Sequence, residues 1–106
     1  MWKEFQKEQF NRETLECEEG FVTYSIYDDG SCYIHIMYVS PKYRSLGIGK
    51  RLEQILIKKH NLTSLSCYVD LTSQKPEISL RAIIGAGYKV VSASSEKIVL
   101  TKVIGE

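Results

Sequence analysis

The fold of this chain is decided by residues 32–56, which read CYIHIMYVSPKYRSLGIGKRLEQIL. The first eight residues are rich in β-branched and aromatic side chains, which is typical of a strand. The last part places Leu52, Ile55 and Leu56 at helical spacing, with charged side chains on the other face. A turn with two glycines lies between these parts. The stretch therefore predicts a strand, a glycine turn and an amphipathic helix in succession.

The predicted strand is apolar along both of its faces. Strict alternation puts Ile34, Ile36 and Tyr38 on one face and Tyr33, Met37 and Val39 on the other. A strand with two apolar faces belongs in the middle of a sheet that is covered on both sides. The Asp-Gly pair within residues 28–31 predicts a tight turn, so this strand forms a hairpin with residues 21–27.

The remaining elements follow from their end signals. Lys58, Lys59 and His60 fall in the last turn of the first long helix, and Asn61 ends it. Pro76 suits the first position of a second helix over residues 76–86. We predict a short helix within residues 2–13, with a strand as the alternative, and strands over residues 14–18, 65–71, 88–93 and 97–104. Residues 32–71 are long enough for a right-handed parallel crossover, so the sheet is mixed and the fold is α/β.

Composition limits the class of protein. The 106 residues leave room for one domain, and a net charge of +1 argues against nucleic acid as the main partner. We expect no membrane span, because no run of about 18 apolar residues occurs. The first residues are too charged for a signal peptide. Three cysteines without metal-ligand spacing indicate reduced thiols, no metal site and a cytoplasmic location.

The glycine turn is the candidate ligand site. The first N–H groups of a helix have no partner within the helix, and the helix dipole adds positive charge there. Glycines let the backbone approach an anion closely, so a pyrophosphate suits this turn, with Arg44 and Lys50 adding charge-assisted contacts. The spacing matches neither the dinucleotide fingerprint nor the P-loop. A plain strand-to-helix turn with a solvated arginine remains the alternative.

Residues 39–52, VSPKYRSLGIGKRL, resemble the central acetyl-CoA-binding motif of the GNAT family of N-acetyltransferases. Residues 79–89, SLRAIIGAGYK, are similar to a later helix of that family that ends in Gly-Phe or Gly-Tyr. The resemblance covers residues 21–104. It implies a central mixed, mostly antiparallel sheet flanked by helices on both faces. It further implies that residues 1–106 form one N-acetyltransferase domain with a shortened N-terminal part, with acetyl-CoA as cosubstrate.

The resemblance also implies which residues hold acetyl-CoA. The backbone of Met37, Tyr38 and Val39 would pair with the pantetheine arm as a further strand, splayed from the next parallel strand. A backbone N–H near Tyr38 or Val39 would polarise the acetyl carbonyl. The amine would enter from the opposite side of the sheet. The pyrophosphate would be cradled by Arg44, Ser45, Leu46, Gly47, Ile48, Gly49 and Lys50.

Two catalytic positions of the family are occupied differently here. The helix tyrosine that often protonates the leaving thiolate falls on Ile83, which leaves the general acid unassigned. The family's catalytic glutamate position falls on Tyr33. His35, two residues on, is the side chain of this strand whose type suits a base near pH 7, unless it is only a hydrogen-bonded strand histidine.

Tyr68 and Asp70 share the wetter face of the next strand and are candidates to line the acceptor channel. Their alternative is a solvated or capping role. Cys67 is predicted to point with Leu65 and Val69 into the core, where a buried thiol is usually inert.

Three functions remain in view. The first is N-acetyltransfer from acetyl-CoA to an amine by direct transfer, favouring a protein amine because a short N-terminal part leaves little material for a lid. The second is a non-catalytic acyl-CoA-binding module, which Ile83 and Tyr33 favour. The third is an interaction protein with the fold and no ligand. Family members often dimerise, but the sequence shows no dimer face.

Overall fold

The structure, a computed structural model, describes residues 1–44 and 46–105. Within them no helix is both long and apolar enough to cross a membrane. A short 3-10 helix, Pro41–Tyr43, precedes the glycine turn. The main elements are α1 (Trp2–Phe10), β1 (Glu13–Cys17), β2 (Gly20–Ile26), β3 (Ser31–Val39), α2 (Ile48–His60), β4 (Ser64–Asp70), α3 (Pro76–Gly85), β5 (Lys89–Ala93) and β6 (Lys97–Val103).

The strands form one six-stranded sheet in the order β1-β2-β3-β4-β6-β5. β3 and β4 are parallel, and the other neighbours are antiparallel. The predicted mixed, mostly antiparallel sheet is thereby confirmed. The helix ends are confirmed as well, since Asn61 takes the left-handed conformation after α2 and Pro76 opens α3.

Helices cover the two faces unequally. Leu56 of α2 and Leu80 and Ile83 of α3 pack on the core face. On the opposite face the Trp2 ring of α1 meets the Phe21 ring of β2, with their centroids 5.9 Å apart. The buried core consists of Val22, Tyr24, Cys32, Ile34, Leu56, Leu62, Leu65, Val69, Tyr88 and Leu100.

A β-bulge in β3 changes the predicted faces of that strand. Tyr24 lies opposite Ile34 and Thr23 lies opposite Ile36, so His35 is an extra residue in β3. Because Thr23 and Tyr24 face opposite sides, Ile34 and Ile36 do so too. The predicted grouping of Ile34 with Ile36 and Tyr38 is therefore wrong. An inserted residue reverses the alternation beyond it.

The bulge puts Met37 on the core face with Ile34, since Met37 lies opposite the buried Val22. Ile36 and Tyr38 turn to the α1 face. The outer part of β3 is also less covered than its apolar pattern predicts, with Ile36, Met37 and Tyr38 38%, 37% and 43% exposed. This exposed part of β3 lies beside the glycine turn.

Candidate active site

The sheet opens between β3 and β4. Their pairing comprises Ser31 with Ser64, Cys32 with Leu65 and Tyr33 with Ser66. Beyond Tyr33 the two strands continue, and within the part of the chain that the structure describes β3 pairs there only with β2 and β4 only with β6. The result is a wedge whose closed end lies at Tyr33, with the backbone of residues 34–39 along one side. This is the splay that the resemblance predicts.

The N-terminus of α2 stands at the mouth of the wedge. Gly47 is its N-cap residue with φ of 77°, a left-handed conformation that favours glycine. No side chain of residues 1–44 or 46–105 caps this end, and the first helical bond runs from Arg51 N–H to the Gly47 carbonyl at 3.0 Å. The N–H groups of Ile48, Gly49 and Lys50 are therefore available to an anion.

The helix start also lies close to β3. A Cβ on Gly49 would stand 3.3 Å from the Met37 sulfur, which is tighter than usual. A Cβ on Gly47 would meet no atom of the described residues within 4 Å, so its surroundings among them are open. Ile48 is buried and anchors the turn, whereas Leu46 and Lys50 are exposed. Ser45 lies outside the described residues.

Arg44 is exposed and held against the end of β3. Its Nε donates to the Val39 carbonyl at 3.0 Å, and its guanidinium lies 5.7 Å from the centre of the Tyr38 ring. The hydrogen bond uses one of the five N–H donors of the guanidinium. The side chain therefore braces Tyr38 and Val39 and keeps donors for an anion.

A groove of about 650 Å³ follows the wedge on the core face. This volume lies within the range of small-molecule sites. Five predicted site residues contribute to its lining, namely His35, Met37, Gly49, Lys50 and Tyr68. The described lining also includes Ile34, Glu53, Cys67, Ser79, Ala82, Ile83, Gly85, Ala86, Tyr88 and Lys102. The other described site residues, Tyr33, Tyr38, Val39, Arg44, Leu46, Gly47, Ile48 and Asp70, are not in the groove lining.

Sequence reasoning missed three polar residues of the groove that are joined by hydrogen bonds, Glu53, Tyr88 and Lys102. Glu53 is only 7% exposed and accepts from Lys102 Nζ at 2.8 Å and from the Tyr88 hydroxyl at 3.1 Å. Burial, and then the charge of Glu53, raise the pKa of Tyr88, which stays protonated. The sequence signal that could have identified Glu53 was its position on the apolar face of a helix, three residues before Leu56.

An aromatic cluster lies on the opposite face of the wedge, and two of its members, His35 and Tyr68, also border the groove through the opening between β3 and β4. The Tyr33 ring lies 5.1 Å from His35 and 6.2 Å from Tyr68, measured between centroids. His35 Nε2 shares a 2.8 Å hydrogen bond with the Ser25 hydroxyl. Lys97 places its ammonium 5.8 Å from the centre of the Tyr68 ring. His35 and Tyr33 thus share a face, as predicted, and Tyr68 joins them.

His35 is neutral at neutral pH. Burial, and to a smaller extent the charge of Arg12, lower the pKa of His35 below its usual value of 6.5. The Ser25 hydroxyl fixes the ring. A neutral, oriented imidazole is a suitable proton acceptor.

Asp70 and Cys67 take other roles. The Asp70 carboxylate accepts from the Thr72 backbone N–H at 2.8 Å and from the Thr72 hydroxyl at 2.6 Å, which is the capping alternative. Cys67 packs against the core as predicted and also faces the groove. Burial raises the pKa of Cys67 to about 11, so its thiol is protonated and a poor nucleophile.

The two histidines predict a loss of stability in weak acid. The Tyr24 hydroxyl and His60 Nε2 share a 2.9 Å hydrogen bond, and burial lowers the pKa values of His60 and His35 below 6.5. Between the folded and unfolded pKa values the unfolded chain binds more protons, so the free energy of unfolding falls as pH drops below about 6.5. We expect a lower Tm at about pH 5.5 than at about pH 7.5.

The control is the His35→Gln/His60→Gln variant, which should show a smaller difference between the two pH values. Carboxylates with lowered pKa, such as Asp70, lose their contribution only below about pH 4 and do not overlap this window. An equal Tm of the wild-type protein at both pH values would contradict the assignment.

The fold is shared with acetyltransferases of known structure. The structure of Ard1 from Thermoplasma volcanium matches with a TM-score of 0.62 and 18% identity, over 82% of this chain and 64% of that one. A paia N-acetyltransferase from Thermoplasma acidophilum, in complex with coenzyme A, matches with a TM-score of 0.69 and 20% identity, over 94% of this chain and 67% of that one. An aminoglycoside 6'-N-acetyltransferase complexed with coenzyme A matches with a TM-score of 0.73 and 17% identity, over 95% of this chain and 77% of that one. The chain thus spans less than two thirds of the length of the Ard1 protein.

A mixed sheet that opens beside a glycine-led helix defines the class as an α/β protein with the acetyltransferase fold. The sequence model of the Acetyltransferase (GNAT) family matches residues 19–80, which is more than half of the chain. The chain belongs to this family, whose general activity is acetyl transfer and whose cosubstrate is acetyl-CoA. A search of curated proteins found no match.

Proposed function

We propose that this protein is an N-acetyltransferase that moves acetyl from acetyl-CoA to an amine by direct transfer. The observation that carries the proposal is the wedge between β3 and β4 with the uncapped N-terminus of α2 at its mouth. Residues 1–106 are proposed as one domain, in which α1 and β1 replace a longer N-terminal part. The coenzyme A complexes of two structural relatives support the choice of ligand.

The wedge and the glycine turn suit the two polar parts of acetyl-CoA. The backbone of Met37, Tyr38 and Val39 faces the wedge and offers hydrogen bonds to the amides of the pantetheine arm. The pyrophosphate would lie on the N–H groups of residues 47–50, with Arg44 and Lys50 beside it. The open space around Gly47 supports this placement.

The chemistry would take place at the bulge. A backbone N–H of β3, near Tyr38 or Val39 or between them and the bulge, would polarise the acetyl carbonyl and stabilise the charge that develops on it. His35, neutral and held by Ser25, would accept the proton of the amine on the opposite face. Tyr33 would border the approaching amine. Most of the rate would come from positioning.

A protein amine is the proposed acceptor. Lys97 offers an example on the proposed acceptor side, where its ammonium lies over the Tyr68 ring. An aromatic face attracts a cation without enclosing it, and Tyr68 is 41% exposed. An open, aromatic approach suits a lysine side chain on a flexible peptide better than a small metabolite that must be enclosed.

The second candidate is a non-catalytic acyl-CoA-binding module. Ile83 and Tyr33, which stand at the family's acid and base positions, favour it. It shares the cofactor site with the enzyme and differs in lacking turnover.

A homodimer is the assembly proposed for this protein, because family members often dimerise. Among the described residues β5 pairs only with β6, so its outer edge is open. Val90 and Val91 on β5 are 51% and 60% exposed. Light scattering on the purified protein tests this assembly, and a monomeric mass across concentrations would contradict it.

The test of function combines binding with turnover. Acetyl-CoA should raise the Tm saturably, with a stabilisation of about 2.7 kcal/mol at a hundredfold excess over Kd. Thiol release should then depend on an added amine, and lysine peptides should be better acceptors than spermidine. Stabilisation without release by any amine would favour the binding module. A lack of stabilisation would reject both candidates.

A further inference from the structure

A partly buried ion pair lies in the groove away from the glycine turn. Glu53 of α2 is 7% exposed, and both its carboxylate oxygens are engaged, one by Lys102 of β6 and the other by Tyr88. Lys102 keeps 31% of its side chain exposed. Its ammonium has three N–H donors, and within the described residues its hydrogen bond goes to Glu53. Donors therefore remain for a group in the groove.

The position of this pair along the groove follows from the contact of α2 with β3 and from the pairing of β6 with β4. Gly49 contacts β3 at Met37, and Glu53 lies four residues further along α2, a rise of about 6 Å. Two residues of a strand span about the same distance, so Glu53 stands level with His35, the bulge residue. Lys102 of β6 lies opposite Leu65 of β4, one residue before the position where the pairing of β3 with β4 ends. The pair therefore crosses the groove near the closed end of the wedge.

Burial of charge at this place carries a desolvation cost. Desolvation of two charges often exceeds the Coulomb attraction between them, and apolar residues of similar volume frequently do as well. Glu53 occupies the buried stripe of α2 beside Leu52 and Leu56, where an apolar residue would fit the pattern. Stability alone is therefore a weak reason for these charges.

We propose that Lys102 stabilises and protonates the thiolate that leaves when the acetyl group is transferred, with Glu53 and Tyr88 as positioning residues. The inference rests on the proposed function. A ligand with its pyrophosphate at Gly47 and its acetyl group at the bulge brings its sulfur to the level of this pair. Ile83, at the position where the family often has a tyrosine acid, lies in the same groove and has no proton to give.

Acetyl transfer starts from a neutral amine and the thioester of acetyl-CoA. The amine nitrogen forms a bond to the carbonyl carbon, the carbon–sulfur bond breaks, and its electron pair goes to sulfur. Lys102 passes a proton from Nζ to sulfur, which gives the free thiol of coenzyme A. The new amide nitrogen loses a proton to His35 or to solvent, and Lys102 regains one from water.

The test measures the thiol of bound coenzyme A, which requires no acceptor amine. Thiolate absorbance is titrated with pH for coenzyme A saturated with protein. A nearby ammonium should lower the pKa of the bound thiol by about one or more relative to free coenzyme A. Lys89→Met, which removes an exposed cation of β5 that does not line the groove, should leave that value unchanged.

Three variants separate the roles. Lys102→Met alone leaves Glu53 buried without its partner, so Glu53→Gln/Lys102→Met is the variant expected to fold, and it should bind coenzyme A without lowering the pKa of its thiol. Lys102→Arg should keep the lowered thiol pKa, since the charge remains, but slow turnover at least tenfold, because arginine does not give up its proton. A merely structural ion pair would leave the thiol pKa unmoved.

Two failures are distinguishable. If coenzyme A binds and its thiol pKa equals that of free coenzyme A, or is the same in the wild type and in Glu53→Gln/Lys102→Met, the role of Lys102 is overturned and the proposed function stands. If coenzyme A does not bind to the wild-type protein, the proposed function and this inference both fall.

Discussion

Reversal of two charges at the glycine turn should remove the affinity for acetyl-CoA. We expect the Arg44→Glu/Lys50→Glu variant to show no stabilisation at ligand concentrations that saturate the wild-type protein. Each charge-assisted hydrogen bond is worth about 1.5–3 kcal/mol, so losing two raises Kd roughly a hundredfold or more. Repulsion between the new carboxylates and a pyrophosphate increases the effect.

Part of this loss comes through the protein itself. Arg44 also holds the Val39 carbonyl and the Tyr38 ring, so its removal loosens the end of β3 as well as the anion site. Lys50 is exposed, and no hydrogen bond joins its side chain to residues 1–44 or 46–105. Lys50→Glu alone therefore separates the electrostatic part of the effect from the structural part.

The matched control makes the same change in net charge at the other end of α2. Lys58→Glu/Lys59→Glu alters two exposed lysines in the last helical turn, where the loss of cations lowers helix stability slightly. Its Kd for acetyl-CoA should stay within a few-fold of wild type. Equal losses in the two double variants would mean that net charge, rather than the glycine turn, governs binding.

Gly20→Ala should damage both the fold and the site. Gly20 begins β2 opposite Val39 and is buried. A Cβ there would collide with the carbonyl oxygen of Tyr38 and crowd the Cα of Val39, and these backbone atoms cannot move away cheaply. We expect unfolding to be easier by about 1–3 kcal/mol or more.

The function-specific result is the loss of ligand affinity. Relief of the clash pushes Tyr38 and Val39 out of place, and these residues supply the backbone proposed to pair with the pantetheine arm. Leu56→Ala is the control, because it leaves a cavity in the core and costs about 2–5 kcal/mol away from that backbone. Measured by calorimetry where both variants are folded, Gly20→Ala should weaken acetyl-CoA binding and Leu56→Ala should not. Unchanged affinity of Gly20→Ala would contradict the role of this strand end.

Local patterns were enough to predict the order of the elements. The Asp-Gly turn, the apolar spacing of α2, Asn61 and Pro76 each act over a few residues, so their effect can be predicted without tertiary structure. The glycine turn between β3 and α2 is local too, and it located the candidate anion site. The resemblance of residues 39–52 then connected that site to a family.

Contacts between distant residues were beyond local patterns. Nothing in a two-residue alternation reveals one inserted residue, so the bulge at His35 and the faces of Ile36 and Met37 emerged only from pairing with β2. Glu53 and Lys102 are 49 residues apart, and their attraction exists only once α2 and β6 pack against the same groove.

By itself, the sequence determined the elements, the mixed sheet and the glycine-led helix start, because turn chemistry and periodicity are properties of neighbouring residues. The tertiary structure decided which side chains share the groove and which share the aromatic face. That division depends on strand register and helix docking, which are fixed by burial of the whole core rather than by any one segment.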